Sequence, residues 1–252
     1  MPMTREEALR KVPAVTLGFW MIKILATTVG ETGGDAVSMS MNAGYLVSTG
    51  IFMVVFVAAV AAQISAKAFH PFLYWATIIA STTVGTTLAD FVDRSLGIGY
   101  LGGSTLLAAA LLASLLVWHR SSGTIAVSSV SSPKPEFFYW LTIMFSQTLG
   151  TALGDWTADS AGLGYLGAAL VFGSALVLIV MAYFWSRISR TALFWAAFIL
   201  TRPLGAVIGD FIDKPVIDGG LALSRYTATA VLLTVIAILI AVTAPRPAAV
   251  AH

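Results

Sequence analysis

Apolar residues fill this chain in eight runs, at positions 14–36, 44–66, 72–92, 99–118, 137–158, 164–185, 192–212 and 221–243. Charged residues fall mostly in the gaps and at a few positions inside the odd-numbered runs. A helix crosses a bilayer with roughly 20 apolar residues, and the runs have that length. They lack the alternation of membrane barrel strands, and lipid gives an open backbone no hydrogen-bond partner, so the pattern predicts helices. The expected fold class is all-α, a polytopic membrane protein with eight transmembrane helices.

The runs repeat in pairs. Trp20 is followed at plus ten by Gly30 and at plus fifteen by Asp35; Trp75, Gly85, Asp90 keep that spacing, as do Trp140, Gly150, Asp155 and Trp195, Gly205, Asp210. Four two-helix repeats follow, and because each holds an even number of helices, all four share one orientation, giving two parallel halves. The step between tryptophans is 55, 65 and 55 residues, and the longer step carries RSSGTIAVSSVSSPKPE. That Ser- and Pro-containing stretch reads as a linker that joins units rather than packs. The expected organisation is an N-terminal segment at 1–13, a first half at 14–119, the linker at 120–136, a second half at 137–243 and a tail at 244–252.

Composition agrees with a membrane setting: 58% hydrophobic and 10% charged residues, against about 25% charged in soluble domains, with a mean hydropathy of +0.89. Arg5, Arg10 and Lys11 ahead of an apolar run give the start the look of a signal peptide. Lys23, Glu31 and Asp35 suit no signal core, so the run is read as a retained first helix. The chain has no cysteine, which removes disulfides and thiolate ligands.

Charge sets the orientation. The ends and the loops after even helices hold Arg5, Arg10, Lys11, Lys67, Arg120, Lys134, Arg187, Arg190 and Arg246, whereas the opposite loops hold Arg94 and Lys214, with Arg225 near the start of helix 8. The positive-inside rule then puts both termini in the cytoplasm. Acidic residues gather on the other side and would concentrate cations there.

Aromatic pairs at the start of the odd helices, together with Trp118 and Trp185, read as an interfacial belt. Small residues four apart (Gly30 and Gly34, Gly85 and Ala89, Gly150 and Gly154, Gly205 and Gly209) let helix backbones approach closely and predict an inner bundle of odd helices. GIGYLG at 97–102 and GLGYLG at 162–167 match a dinucleotide fingerprint but open membrane helices, without the strand that motif requires. Tyr45, Tyr100 and Tyr165 beside them read as markers of the outer interface. No zinc signature, nucleophile elbow or P-loop is present, and nothing points to an enzyme, a cofactor or a nucleic-acid partner.

The candidate chemistry lies on one face of each odd helix, at positions four apart. These are Thr27, Glu31, Asp35; Thr82, Thr86, Asp90; Gln147, Thr151, Asp155; and Arg202, Ala206, Asp210. Polar residues inside a span are costly and usually face an interior or water-filled cavity. A bland alternative leaves the aspartates wet at the outer helix ends, about 22 Å beyond each Trp at 1.5 Å per residue. Glu31, Asp35, Asp90, Asp155 and Asp210 are set against Lys23 and Arg202 as charge-balancing cations, leaving a surplus that a proton or a bound cation would relieve. An oxygen-only ligand set favours a hard divalent cation such as Mn²⁺, Mg²⁺ or Ca²⁺. Pro203 is expected to kink helix 7.

Four tandem repeats of about 55 residues, each with two spans and the Trp, resemble a bacterial membrane family known as a repeat of unknown function, whose members are described as uncharacterised membrane-anchored proteins. The resemblance covers about 14–243 and implies a multi-pass protein of the bacterial inner membrane, without an established activity. The functional expectation is therefore a transporter of a divalent metal cation as substrate, Mn²⁺ slightly preferred. It would be coupled to protons through the metal ligands Glu31, Asp35, Asp90, Asp155 and Asp210, assisted by Thr27, Thr82, Thr86, Gln147 and Thr151. A cation channel and a non-transporting membrane scaffold or sensor are the competing expectations, and a homo-oligomer stays open.

Overall fold

The computed structural model describes residues 11–248. Within them the chain forms eight α-helices: α1 (Leu17–Asp35), α2 (Tyr45–Ser65), α3 (Pro71–Asp90), α4 (Gly99–Ser122), α5 (Pro133–Asp155), α6 (Gly164–Trp185), α7 (Arg190–Asp213) and α8 (Arg225–Thr243). Arg5 and Arg10, counted above toward orientation, and the last residues of the expected tail lie outside the described residues. The Ala248 N–H donates to the Val12 carbonyl and the Ala14 N–H to the Arg246 carbonyl on either side of a Pro13–Pro247 bridge, so the two described ends meet. That end of the bundle is called proximal here, and the other distal.

Six helices, α2, α3, α4, α6, α7 and α8, are long and apolar enough to cross a membrane. Of the eight expected spans, α1 and α5 fall short on polarity. Helix α1 carries Lys23, Glu31 and Asp35, and α5 carries Lys134, Glu136, Gln147 and Asp155. Both belong to the interior.

The odd helices form a closed ring, α1 against α3, α3 against α5, α5 against α7, and α7 back against α1. Each even helix packs on the next odd one: α2 on α3, α4 on α5, α6 on α7, and α8 on α1. The repeat is therefore cyclic, with the last helix closing onto the first. Buried residues concentrate in the odd helices, while the even helices expose most of their apolar surface.

The tryptophan and glycine of the repeat each have a place in this ring. Each aromatic before a Trp meets the Trp of the next repeat: Phe19 with Trp75 at 5.3 Å, Tyr74 with Trp140 at 5.6 Å, Tyr139 with Trp195 at 6.1 Å, and Phe194 with Trp20 at 5.8 Å between centroids. Such pairs contribute about 0.5–1.5 kcal/mol each beyond burial. The belt expectation is corrected here. Trp75, Trp118, Trp140 and Trp195 are buried because their rings fill the gaps between helices, whereas Trp185 is exposed as a belt residue would be.

Ten residues further on, a methyl group at Gly30, Gly85, Gly150 or Gly205 would collide with Thr82, Gln147, Arg202 or Thr27 of the next repeat. The small residue is required because the neighbouring helix presses its polar face against it. Hydroxyls cross the same seam: Thr82 Oγ1 donates to the Ala26 carbonyl and Thr27 Oγ1 to the Thr201 carbonyl, both at 3.2 Å.

Glycines with left-handed φ, Gly44, Gly99, Gly164 and Gly219, recur at one position in all four distal turns. The matches to a dinucleotide fingerprint are thus turn chemistry. Helix α7 runs continuously through Pro203 from Arg190 to Asp213.

The linker differs from its expectation as a segment that does not pack. Val130 is buried, and Ile125 and Val127 pack on the proximal core. The Trp195 indole N–H donates to the Ile125 carbonyl at 3.0 Å. Glu136 pairs with Lys11 at 2.8 Å, and Lys11 also donates to the carbonyls of Gln63 and Ile64. Its few apolar side chains thus join the proximal core.

Candidate functional site

Along the polar face of the inner helices, successive layers can be followed from the proximal aromatics to the distal end. The first is Lys23, Ile78, Ile143 and Phe198, all fully buried. Next come Thr27, Thr82, Gln147 and Arg202, then Glu31, Thr86, Thr151 and Ala206, and finally the four aspartates. Every polar side chain in these layers is buried.

Arg202 ties the middle layers together. Its Nη2 lies 3.1 Å from Glu31 Oε2 of α1, 2.6 Å from Thr86 Oγ1 of α3 and 2.5 Å from Thr151 Oγ1 of α5, and Nη1 donates to the Thr27 carbonyl at 3.3 Å. One guanidinium of α7 thereby contacts all three other inner helices. A planar, permanently charged fork is well suited to that task.

Asp35, Asp90, Asp155 and Asp210 are buried, which sets aside the reading that leaves them wet at the helix ends. The first three each close an α-helix and lead into a π-helical turn, Ala36–Ser40, Phe91–Ser95 and Trp156–Ser160. A carboxylate at a helix C-terminus meets the wrong end of the backbone dipole and needs a cation. Two cations supply it. Arg94 bridges Asp90 at 3.0 Å and Asp155 at 3.3 Å, and its guanidinium also donates to the hydroxyls of Tyr100 and Tyr45. Lys214 bridges Asp35 and Asp210, the latter at 3.1 Å. Burial disfavours the Lys214 ammonium, but Asp210, Asp35 and Asp213 outweigh it and hold its pKa well above the ordinary lysine value.

Arg94 and Lys214 occupy equivalent places, each four residues after its aspartate and nineteen after its tryptophan. The sequence reading passed over them because they follow the apolar runs. The signal available was this shared spacing, one helical turn beyond Asp90 and Asp210. Arg225 adds a third cation, 2.8 Å from Asp213 and 3.8 Å from Asp35.

Two expectations change as a result. The surplus of negative charge is smaller than the count against Lys23 and Arg202 implied, since Arg94 and Lys214 stand among the aspartates. Lys23 does not balance those charges: its Nζ has no hydrogen-bond partner among the described residues and lies 4.2 Å from the Phe198 ring centroid. Its place below Arg202 keeps it from the carboxylates.

The five expected carboxylates separate into two groups. Oxygens of Glu31, Asp35 and Asp210 lie within 4.8 Å of one another, close enough to share one cation, since hard cations take carboxylate oxygens at about 2.0–2.6 Å. Asp90 and Asp155 do not join that group and instead pair with Arg94. Of the supporting residues, Thr86 and Thr151 serve Arg202, Thr27 and Thr82 bond neighbouring helix backbones, and the buried Gln147 amide has no partner.

The geometry and the sequence repeat converge on one family. The model for the Repeat of Unknown Function (DUF347) matches residues 18–69, 73–124, 138–189 and 193–244. The chain belongs to this family. In this DUF347 chain each matched segment contains one inner helix with its Trp, Gly and Asp and one outer helix, so the family unit is the structural unit. No curated protein and no solved structure matches it.

Proposed function

We propose that the protein is a transporter of a divalent metal cation, Mn²⁺ slightly ahead of Mg²⁺ and Ca²⁺, exchanged for protons across a bacterial inner membrane. All eight helices cross the bilayer in this reading, in two parallel halves with both termini cytoplasmic. The seam supports parallel neighbours. Gly30 meets Thr82 and Gly34 meets Thr86, so contacts advance together along α1 and α3, and Gly150 with Arg202 and Gly154 with Ala206 repeat this in the second half. The polar faces of α1 and α5 are covered by the ring, which supports reading them as spans despite their polarity.

One observation carries the reading: Glu31, Asp35 and Asp210 bring buried oxygens within 4.8 Å of one another. Among the described residues no thiolate or imidazole joins them, which suits a hard cation. Lys214 and Arg202 already touch the same carboxylates. In an empty carrier they would neutralise the site, and an arriving metal ion would displace them. Arg202 lies across the bundle axis and the proximal aromatics fill it, an arrangement that favours a carrier over an open channel.

A scaffold reading is supported by the same ion pairs, since each site carboxylate has a cationic partner. Flux into proteoliposomes separates the two, with Mn²⁺, Mg²⁺, Ca²⁺ and Zn²⁺ offered under an imposed pH gradient. Saturable uptake of one ion, lost in Asp35→Asn, supports the transporter. No flux of any of them in folded protein would leave the scaffold.

A further inference from the structure

Lys23 is unlike every other charged group in the membrane layers. It is fully buried, and among the described residues its amine has no acceptor and lies against the face of Phe198. An ammonium so placed lacks the paired anion that buried charge ordinarily requires. A ring face makes up only part of that loss. The site carboxylates are the reverse case, each within ion-pair distance of Arg94, Lys214 or Arg202.

The groups around Lys23 leave its amine open. On α7 stands Arg202, which repels a positive charge there. Tyr74 of α3 and Tyr139 of α5 share one hydrogen bond at 2.6 Å. Glu136 of α5 is held by Lys11. Helix α8 offers only Arg225 and Tyr226, at its distal start, and on α1 itself Glu31 is engaged two turns away by Arg202. The remaining charges of α3 and α7 lie at the helix ends: Asp90, Asp210 and Asp213 distal, Arg190 proximal.

We propose that Lys23 carries the proton exchanged for the metal cation. The proposal rests on the transporter reading and moves its coupling proton from the carboxylates to an amine. The step is a simple protonation, in which the Nζ lone pair takes one proton to give an ammonium and no other bond changes. The ammonium then shares a desolvated stretch of the bundle with Arg202, which stands in the layer between it and Glu31, the nearest metal ligand along the helix. Proton on Lys23 and metal on Glu31, Asp35 and Asp210 disfavour one another through like charge, which is the condition for exchange.

The test uses the full chain in proteoliposomes, wild type beside Lys23→Met and Lys23→Arg, with Mn²⁺ as probe. For the wild type, a pH gradient of one unit drives about tenfold accumulation per exchanged proton. Lys23→Met is expected to keep Mn²⁺-for-Mn²⁺ exchange but lose all gradient-driven accumulation, and Lys23→Arg to lose both. Undiminished gradient-driven accumulation in Lys23→Met overturns the assignment. A second readout is independent of transport: the ¹⁵N signal of the Lys23 amine, identified by its absence from Lys23→Met. It is expected to move between amine and ammonium positions across the pH range of the flux assay. A signal fixed at one position throughout that range overturns the proposal, even if wild-type flux is observed. Absence of wild-type flux with a titrating Lys23 would count against the transporter reading and leave Lys23 as the proton-binding group.

Discussion

Arg202 Nη2 stands 3.1 Å from Glu31 Oε2 with neither side chain open to solvent, and the same nitrogen reaches hydroxyls on two further helices. The ring of inner helices is thus joined at its centre by one charge-assisted network. Removing the cation leaves the buried Glu31 carboxylate without its cationic partner, with the Thr86 hydroxyl at 3.3 Å as its remaining donor among the described residues.

Arg202→Met is accordingly expected to cost about 3–5 kcal/mol, the loss seen when one member of a buried pair is deleted. Adding Glu31→Gln should restore much of it by removing the unpaired charge. Thermal unfolding in detergent of both variants checks this, and equal loss in single and double variants would contradict it.

The seam predicts which glycines matter. A Cβ at Gly85 would lie 2.8 Å from the backbone carbon of Gln147, whereas one at Gly50 meets nothing within 4 Å. Gly85→Ala should destabilise by about 1–3 kcal/mol, as overpacking does. Gly50→Ala should be neutral or stabilising, because alanine is the better helix former. The comparison is made by thermal unfolding of the two variants under one condition.

The proximal hydroxyl pair is a separate test of packing. Tyr74 and Tyr139 satisfy one another at 2.6 Å in a fully buried setting. Either single change to Phe strands the other hydroxyl and should cost about 1–3 kcal/mol, while the double change should cost less than the sum of the singles. A double-mutant cycle measures the coupling directly.

Much of this architecture was legible because the repeat imposes it. The spacing of Trp, Gly and Asp located the inner helices, and their small residues foretold that these helices meet. The pairing of charges was not legible. Arg94 and Lys214 reach back one turn to their own aspartate and sideways to the next repeat, and the sideways partner depends on ring closure. Lys23 misled for the opposite reason: a lysine near carboxylates in sequence suggests a counter-ion, yet its side chain stays in the layer of Phe198. The linker misled through its serines, while Val130 and Ile125 did the packing.

Lys214 also gives a pH prediction. Its folded pKa is raised by Asp210, Asp35 and Asp213 against the effect of burial. The stabilisation it contributes is fully present below the unfolded lysine value of about 10.4 and is lost as pH rises through the higher folded value. Wild type should therefore lose more stability than Lys214→Gln on moving into that alkaline range, as followed by unfolding temperature against pH. An identical slope in the two proteins would show that the ion pairs add nothing.

The most direct test of the central claim is Mn²⁺ uptake into proteoliposomes by wild type, Asp210→Asn and Asp93→Asn. Asp210 belongs to the group of oxygens that would hold the ion, whereas Asp93 lies outside it. Saturable uptake by wild type and Asp93→Asn, abolished in Asp210→Asn, is the predicted result. Uptake that Asp210→Asn retains in full would contradict the assignment of the cation to Glu31, Asp35 and Asp210.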